Sequence, residues 1–138
     1  MMRIALVLLM LILSISLLAQ QKIDKDFVGL QVMQGHPYTL MILKPTGYLP
    51  KDSFNDWSMM HLINLFQMHA DGKSSVFGPV TDPKADVGGI IIFNTTDTVQ
   101  IKSWMAKDPL VSNNIFTYKL YPWFSVPDQK LLPTIKPK

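Results

Sequence analysis

Val87-Gly88-Gly89-Ile90-Ile91-Ile92-Phe93 is the stretch that decides the fold. Three consecutive isoleucines favour a pleated strand, and an apolar residue at every position predicts burial on both faces. Before it, Val80 to Asp86 reads as a polar turn. Ser74 to Phe77 reads as a shorter strand that stops at Gly78-Pro79, because proline cannot donate to a ladder. A helical pattern flanks this strand pair on either side. Upstream, Ser53 opens a helix, with Asp56 three residues on as a variant of the capping box. That helix runs to about Ala70 and ends at Asp71-Gly72, where glycine takes the left-handed cap. Downstream, Thr96 or Asp97 caps a second helix that reaches about Ala106. Outside the helices lie two further strands, Tyr38 to Leu43 and Ile115 to Phe124.

The resulting order is β-α-β-β-α-β, the ferredoxin-like arrangement within the α+β class. It predicts one antiparallel sheet with both helices on one face. The other face then needs a cover. Strands three and four carry apolar residues at consecutive positions, and a homodimer packed sheet against sheet would supply that cover.

The chain has 138 residues, of which 48% are hydrophobic, enough for one small domain with a core. Part of that apolar content is a leader. Arg3, the run Ile4 to Leu18 and Ala19 before Gln20-Gln21 read as a signal peptide over residues 1–19, with Leu17 bulky for its place before the cut. The expected location is the periplasm or outside the cell. The run is shorter than the ~20 residues of a spanning helix, and a membrane enters only if the segment is retained. Loss of Arg3 takes the basic residues from 13 to 12 against 10 acids, leaving a net charge of +2. That is too little to argue for a nucleic-acid partner. The absence of cysteine excludes disulfides, thiol chemistry and a lipidated thiol anchor. Residues 20–36 form a lead-in, either a short extra strand or a spacer. Residues 37–126 are the domain, and 127–138, with Pro127, Pro133 and Pro137, an irregular tail.

His61 is the first candidate for chemistry. Its neighbours at helical spacing are Phe54, Trp57, Leu65 and Met68, and an imidazole on such a face needs a partner. The partner is either a backbone carbonyl, which makes His61 a core residue, or a second functional group. Histidine suits acid/base work because imidazole titrates near neutrality. Asp108 precedes Pro109, a common turn former, and on these residues alone it reads first as a turn. His69, eight residues after His61, is rotated about 80° around the helix and reads as a dipole-favouring C-terminal residue. His36 has no motif around it, and no metal site or cofactor is expected. Trp57 and Phe77 are candidates for the wall of an aromatic-sized pocket. Gly78 and Gly89 are candidates for close backbone approach beside it. Ser74, Ser75 and Ser103 lack a nucleophile elbow, and Asn94-Thr95-Thr96 fits a glycosylation sequon.

Five short features stand in order: His61-Leu62 with Leu65 and His69, the helix end at Gly72, Phe77-Gly78-Pro79, Gly88-Gly89-Ile90 and Lys107-Asp108-Pro109. Together they resemble the YciI-like (YCII-related) family over about Tyr38 to Phe124. The resemblance implies a dimeric α+β barrel whose cleft holds a His/Asp pair, with His61 as the acid/base and Asp108 as its orienter. It also implies lyase-type chemistry. The leader, lead-in and tail depart from the usual family pattern. The expected function is therefore an exported small-molecule lyase or isomerase. The alternative is a non-catalytic small-ligand-binding or structural dimer of the same fold. A cofactor-free monooxygenase would share the fold but not the Asp-Pro motif.

Overall fold

The computed structural model describes residues 23–126. The signal peptide read at 1–19 and the tail read at 127–138 lie outside these residues. The chain divides into two compact units between Gln34 and Gly35, each described by itself.

In the first unit, Lys25–Met33 forms helix α1. The lead-in is thus helical here, and not the short extra strand. Asp24 sits in extended backbone at the N-cap and its carboxylate accepts from the Phe27 N–H at 3.0 Å. That bond satisfies one of the orphan amides of the first turn. No residue of α1 is buried.

The second unit runs β1 (His36–Pro45), α2 (Phe54–Ala70), β2 (Ser74–Pro79), β3 (Gly89–Phe93), α3 (Thr98–Met105), α4 (Pro109–Ser112) and β4 (Phe116–Ser125). The strand order is β2-β3-β1-β4 and every pairing is antiparallel. This is the ferredoxin-like α+β fold the sequence predicts, with one short helix, α4, added. β4 is an edge strand, so Pro122 fits there with no central ladder bond lost.

Helix α2 ends as expected. Gly72 has φ +70°, the Lys73 N–H reaches the Met68 carbonyl at 2.8 Å and the Gly72 N–H the His69 carbonyl at 3.0 Å. These two bonds make a Schellman cap. The N-terminus differs from expectation. Ser53 has φ −110° and ψ −8°, not the extended backbone of a side-chain cap, and its hydroxyl makes no capping bond. Helix α3 is capped by Asp97, which accepts from Val99 and Gln100 N–H groups at 2.9 and 3.0 Å.

The core lies between the helices and one sheet face. Met41, Leu43, Ile91 and Phe93 alternate along β1 and β3 and meet Leu65 and Met68 of α2 and Ile101 and Met105 of α3. Truncating one of these to alanine costs about 2–5 kcal/mol. On the other face, Leu40, Ile42, Ile90 and Ile92 are only half-buried in the single chain. β4 is not apolar on that face throughout: Thr117 and Lys119 are exposed there. No helix of the described residues is long and apolar enough to cross a membrane.

Candidate active site

His61 stands in the middle of α2, near the two core residues Leu65 and Met68 on the same stripe, and is 8% exposed. Its Nδ1 lies 2.9 and 2.8 Å from the two carboxylate oxygens of Asp108, 47 residues later in the chain, and donates its proton to them. Asp108 is fully buried. A buried carboxylate needs its lone pairs occupied, and three groups do this. Besides His61, the Asn64 amide donates at 2.9 Å and the Leu110 N–H at 3.0 Å. Burial pushes the Asp108 carboxyl up, but the hydrogen bonds from His61 and Asn64, the histidine's charge and the Leu110 amide together hold it below the ordinary carboxylate value.

The local sequence explains how Asp108 arrives there. It has extended backbone at the N-cap of α4, with Pro109 at the first helical position. Proline suits that position because its missing N–H is one the helix cannot use. Asp108 is therefore both the turn-forming residue and the partner of His61. In the sequence these two roles stand as alternatives, and the structure combines them.

Because Nδ1 is committed to Asp108, Nε2 is the nitrogen free to meet a ligand. The ring borders a cleft of about 430 Å³, within the range of small-molecule sites. The cleft is walled by Phe54, Ser58 and Leu62 of α2, by Phe77, Gly78 and Pro79 of β2, by Gly88 to Ile90, and by Phe116 of β4. The Phe116 ring centroid lies 6.2 Å from that of His61. Phe77 meets Phe66 edge-on at 5.1 Å.

Phe77, Gly78 and Gly89 thus border the cleft with His61. Trp57 does not. At 100° per residue, Trp57 lies about 40° round one side of His61 and Ser58 about 60° round the other. The cleft opens on the Ser58 side; Asn64 and Asp108 occupy the Trp57 side. A side chain added at Gly89 would sit 2.9 Å from the Gly78 carbonyl oxygen, so β2 and β3 require glycine there. Gly78 has open space instead. Gly88 faces the Phe116 ring, 2.5 Å from where a Cβ would stand, and its N–H is spent on the Leu43 carbonyl at 2.8 Å. His69 donates from Nδ1 to the Ser74 carbonyl at 3.0 Å, tying the end of α2 to β2. His36 meets Tyr38 edge-on. Among the described residues, no three His, Asp or Glu side chains cluster closely enough to hold a metal ion.

Asn64, Ser58 and Phe116 were missed by the sequence reading. Asn64 was findable, since it lies three residues after His61 and on a neighbouring face. Phe116 carried no signal, because only the folded sheet brings β4 beside α2.

Comparison with curated proteins finds no match. Among solved structures, the chain is similar to a 5-chloro-2-hydroxyhydroquinone dehydrochlorinase from Burkholderia phenoliruptrix in complex with 2,5-dihydroxybenzoquinone. The identity is 23%, over 62% of this chain and 92% of that one, with a TM-score of 0.47. It is also similar to MtbAldR at 9% identity, over 94% of this chain and 75% of that one, with a TM-score of 0.34. The family model described as the YCII-related domain matches residues 40–124, most of the sheet and both long helices of the second unit. The chain belongs to the YCII-related domain family.

Proposed function

We propose that the cleft is the active site of a small-molecule lyase or isomerase in which His61 moves the proton and Asp108 orients it. One observation carries the reading: His61 gives Nδ1 to a buried carboxylate while its ring borders a cleft of ligand size. The carboxylate fixes the neutral tautomer with the proton on Nδ1 and the lone pair on Nε2, and it stabilises the imidazolium formed when Nε2 takes a proton. Nε2 then removes a proton from a substrate carbon. The freed electron pair forms a double bond to the next carbon. In a lyase the leaving group departs from that carbon and takes the proton back from His61. In an isomerase the double bond already on that carbon shifts one atom further along, and the far atom takes the proton back from His61. Such acid/base help is worth about 10² to 10⁴-fold in rate.

The test is a screen of small-molecule substrates with His61→Gln and Asp108→Asn beside the unaltered protein. Any substrate turned over should lose at least about 10²-fold in kcat with His61→Gln. Turnover that survives this change would end the proposal.

We also propose that the protein is exported and acts as a homodimer. Arg3, the apolar run to Leu18 and Ala19 support export. N-terminal sequencing of the mature protein should begin near Gln20; a membrane-bound form starting at Met1 would show a retained anchor. The dimer rests on the half-buried aliphatic residues of the sheet face away from the helices.

A further inference from the structure

The Ser58 hydroxyl has no role in the pair described above. It stands three residues before His61 on α2, and its residue borders the same cleft. Its Oγ is buried and has no hydrogen-bond partner among the described residues. Ser74 Oγ shares that condition, but Ser74 does not border the cleft. An unpartnered buried hydroxyl is a cost to the fold. A group entering the cleft can relieve that cost, and serine's single side-chain torsion lets the oxygen change staggered wells to meet it.

The lining also restricts what enters. Its side chains include no lysine, arginine, aspartate or glutamate, and the polar ones are Ser58 and His61 alone. A carboxylate or phosphate would lose its hydration there and find no lysine or arginine, only a His61 ring already paired with the Asp108 carboxylate. Phe54, Phe66, Phe77 and Phe116 instead offer apolar, aromatic surface.

We propose that Ser58 is a substrate-binding residue, and that the cleft takes an uncharged, largely apolar small molecule whose hydroxyl or carbonyl bonds to Ser58 while a neighbouring atom faces His61 Nε2. The inference rests on the cleft being the ligand site and adds to it the second polar contact and the charge class of the ligand.

The experiment uses the full-length protein and three probes: phenol, toluene and benzoate. Binding is read from NMR shifts of the His61 ring, in the unaltered protein and in Ser58→Ala. Phenol should bind Ser58→Ala about fivefold more weakly, as loss of one hydrogen bond implies. Toluene should bind both proteins equally, and benzoate should bind more weakly than phenol. The thermal midpoint of Ser58→Ala should equal or exceed that of the unaltered protein, because an unpartnered hydroxyl is removed. Equal phenol affinity in the two proteins, with His61 still responding, would overturn the role of Ser58 alone. Benzoate binding more tightly than phenol would overturn the uncharged class. A lower midpoint with both phenol and toluene weakened would make Ser58 a structural residue. If no probe moves the His61 signals of the unaltered protein, the cleft itself is not the ligand site.

Discussion

Asp108 does two things with one carboxylate: it caps α4 through the Leu110 amide and holds His61 Nδ1. Removing it therefore breaks more than a pair. Asp108→Ala should destabilise the protein by roughly 3–5 kcal/mol, the range for breaking a buried charged pair, measured by urea unfolding. Asp108→Asn keeps the shape and can still cap, but its amide can present N–H to Nδ1 and favour the other tautomer. Nitrogen shifts of the His61 ring at neutral pH should report the proton moving from Nδ1 to Nε2, with turnover lost. Unchanged ring nitrogens would remove Asp108 as orienter. The same carboxylate makes stability depend on pH. In the folded chain it gives up its proton below the ordinary aspartate value, near 3.9 in an unfolded chain. Between the two values the unfolded state holds more protons, so stability rises with pH there. The contribution is present above about pH 4 and is lost as pH falls through the folded value. In acid unfolding curves, Asp108→Asn should show a shallower loss below that point. His61 and Asp108 were legible as a pair from the ordered motifs. Ser58 was not, because a lone serine on a helix is commonplace until its hydroxyl is seen to be buried without a partner.

The elements were legible where one residue type forces one geometry. Gly72 has φ +70° with open space around it, so Gly72→Ala should cost about 1 kcal/mol from backbone strain alone. Gly89 makes a different demand, since a methyl there meets the Gly78 carbonyl oxygen. Gly89→Ala should cost about 1–3 kcal/mol by overpacking and should push apart the two strands beside the cleft. Gly78→Ala, in open space, should leave urea unfolding nearly unchanged. Helix α4 was not legible because its four residues carry no periodicity. Its aspartate-proline start was visible but also fits a plain turn. The Ser53 cap failed for a related reason: the right residue type stands in the wrong backbone conformation.

For the whole molecule, sequence order gave the sheet, because alternating strand and helix patterns leave few topologies open. It could not give the assembly, which depends on which sheet face stays wet. Leu40, Ile42, Ile90 and Ile92 form the aliphatic centre of that face. Light scattering at micromolar concentration should therefore give twice the mass of one chain, and Ile90→Lys should halve it while circular dichroism is preserved. A single-chain mass for the unaltered protein would dismiss sheet-to-sheet packing. The strand order has one further consequence, for synthesis. β1 is made first among the described strands but pairs along its whole length with β4, residues 116–125, the last of them. Until that segment leaves the ribosome, β1 keeps one edge of open amides and carbonyls, and the cleft lacks its Phe116 wall. A nascent chain stalled before Phe116 should thus stay open to proteases and bind no ligand, with the site closing late and in one step.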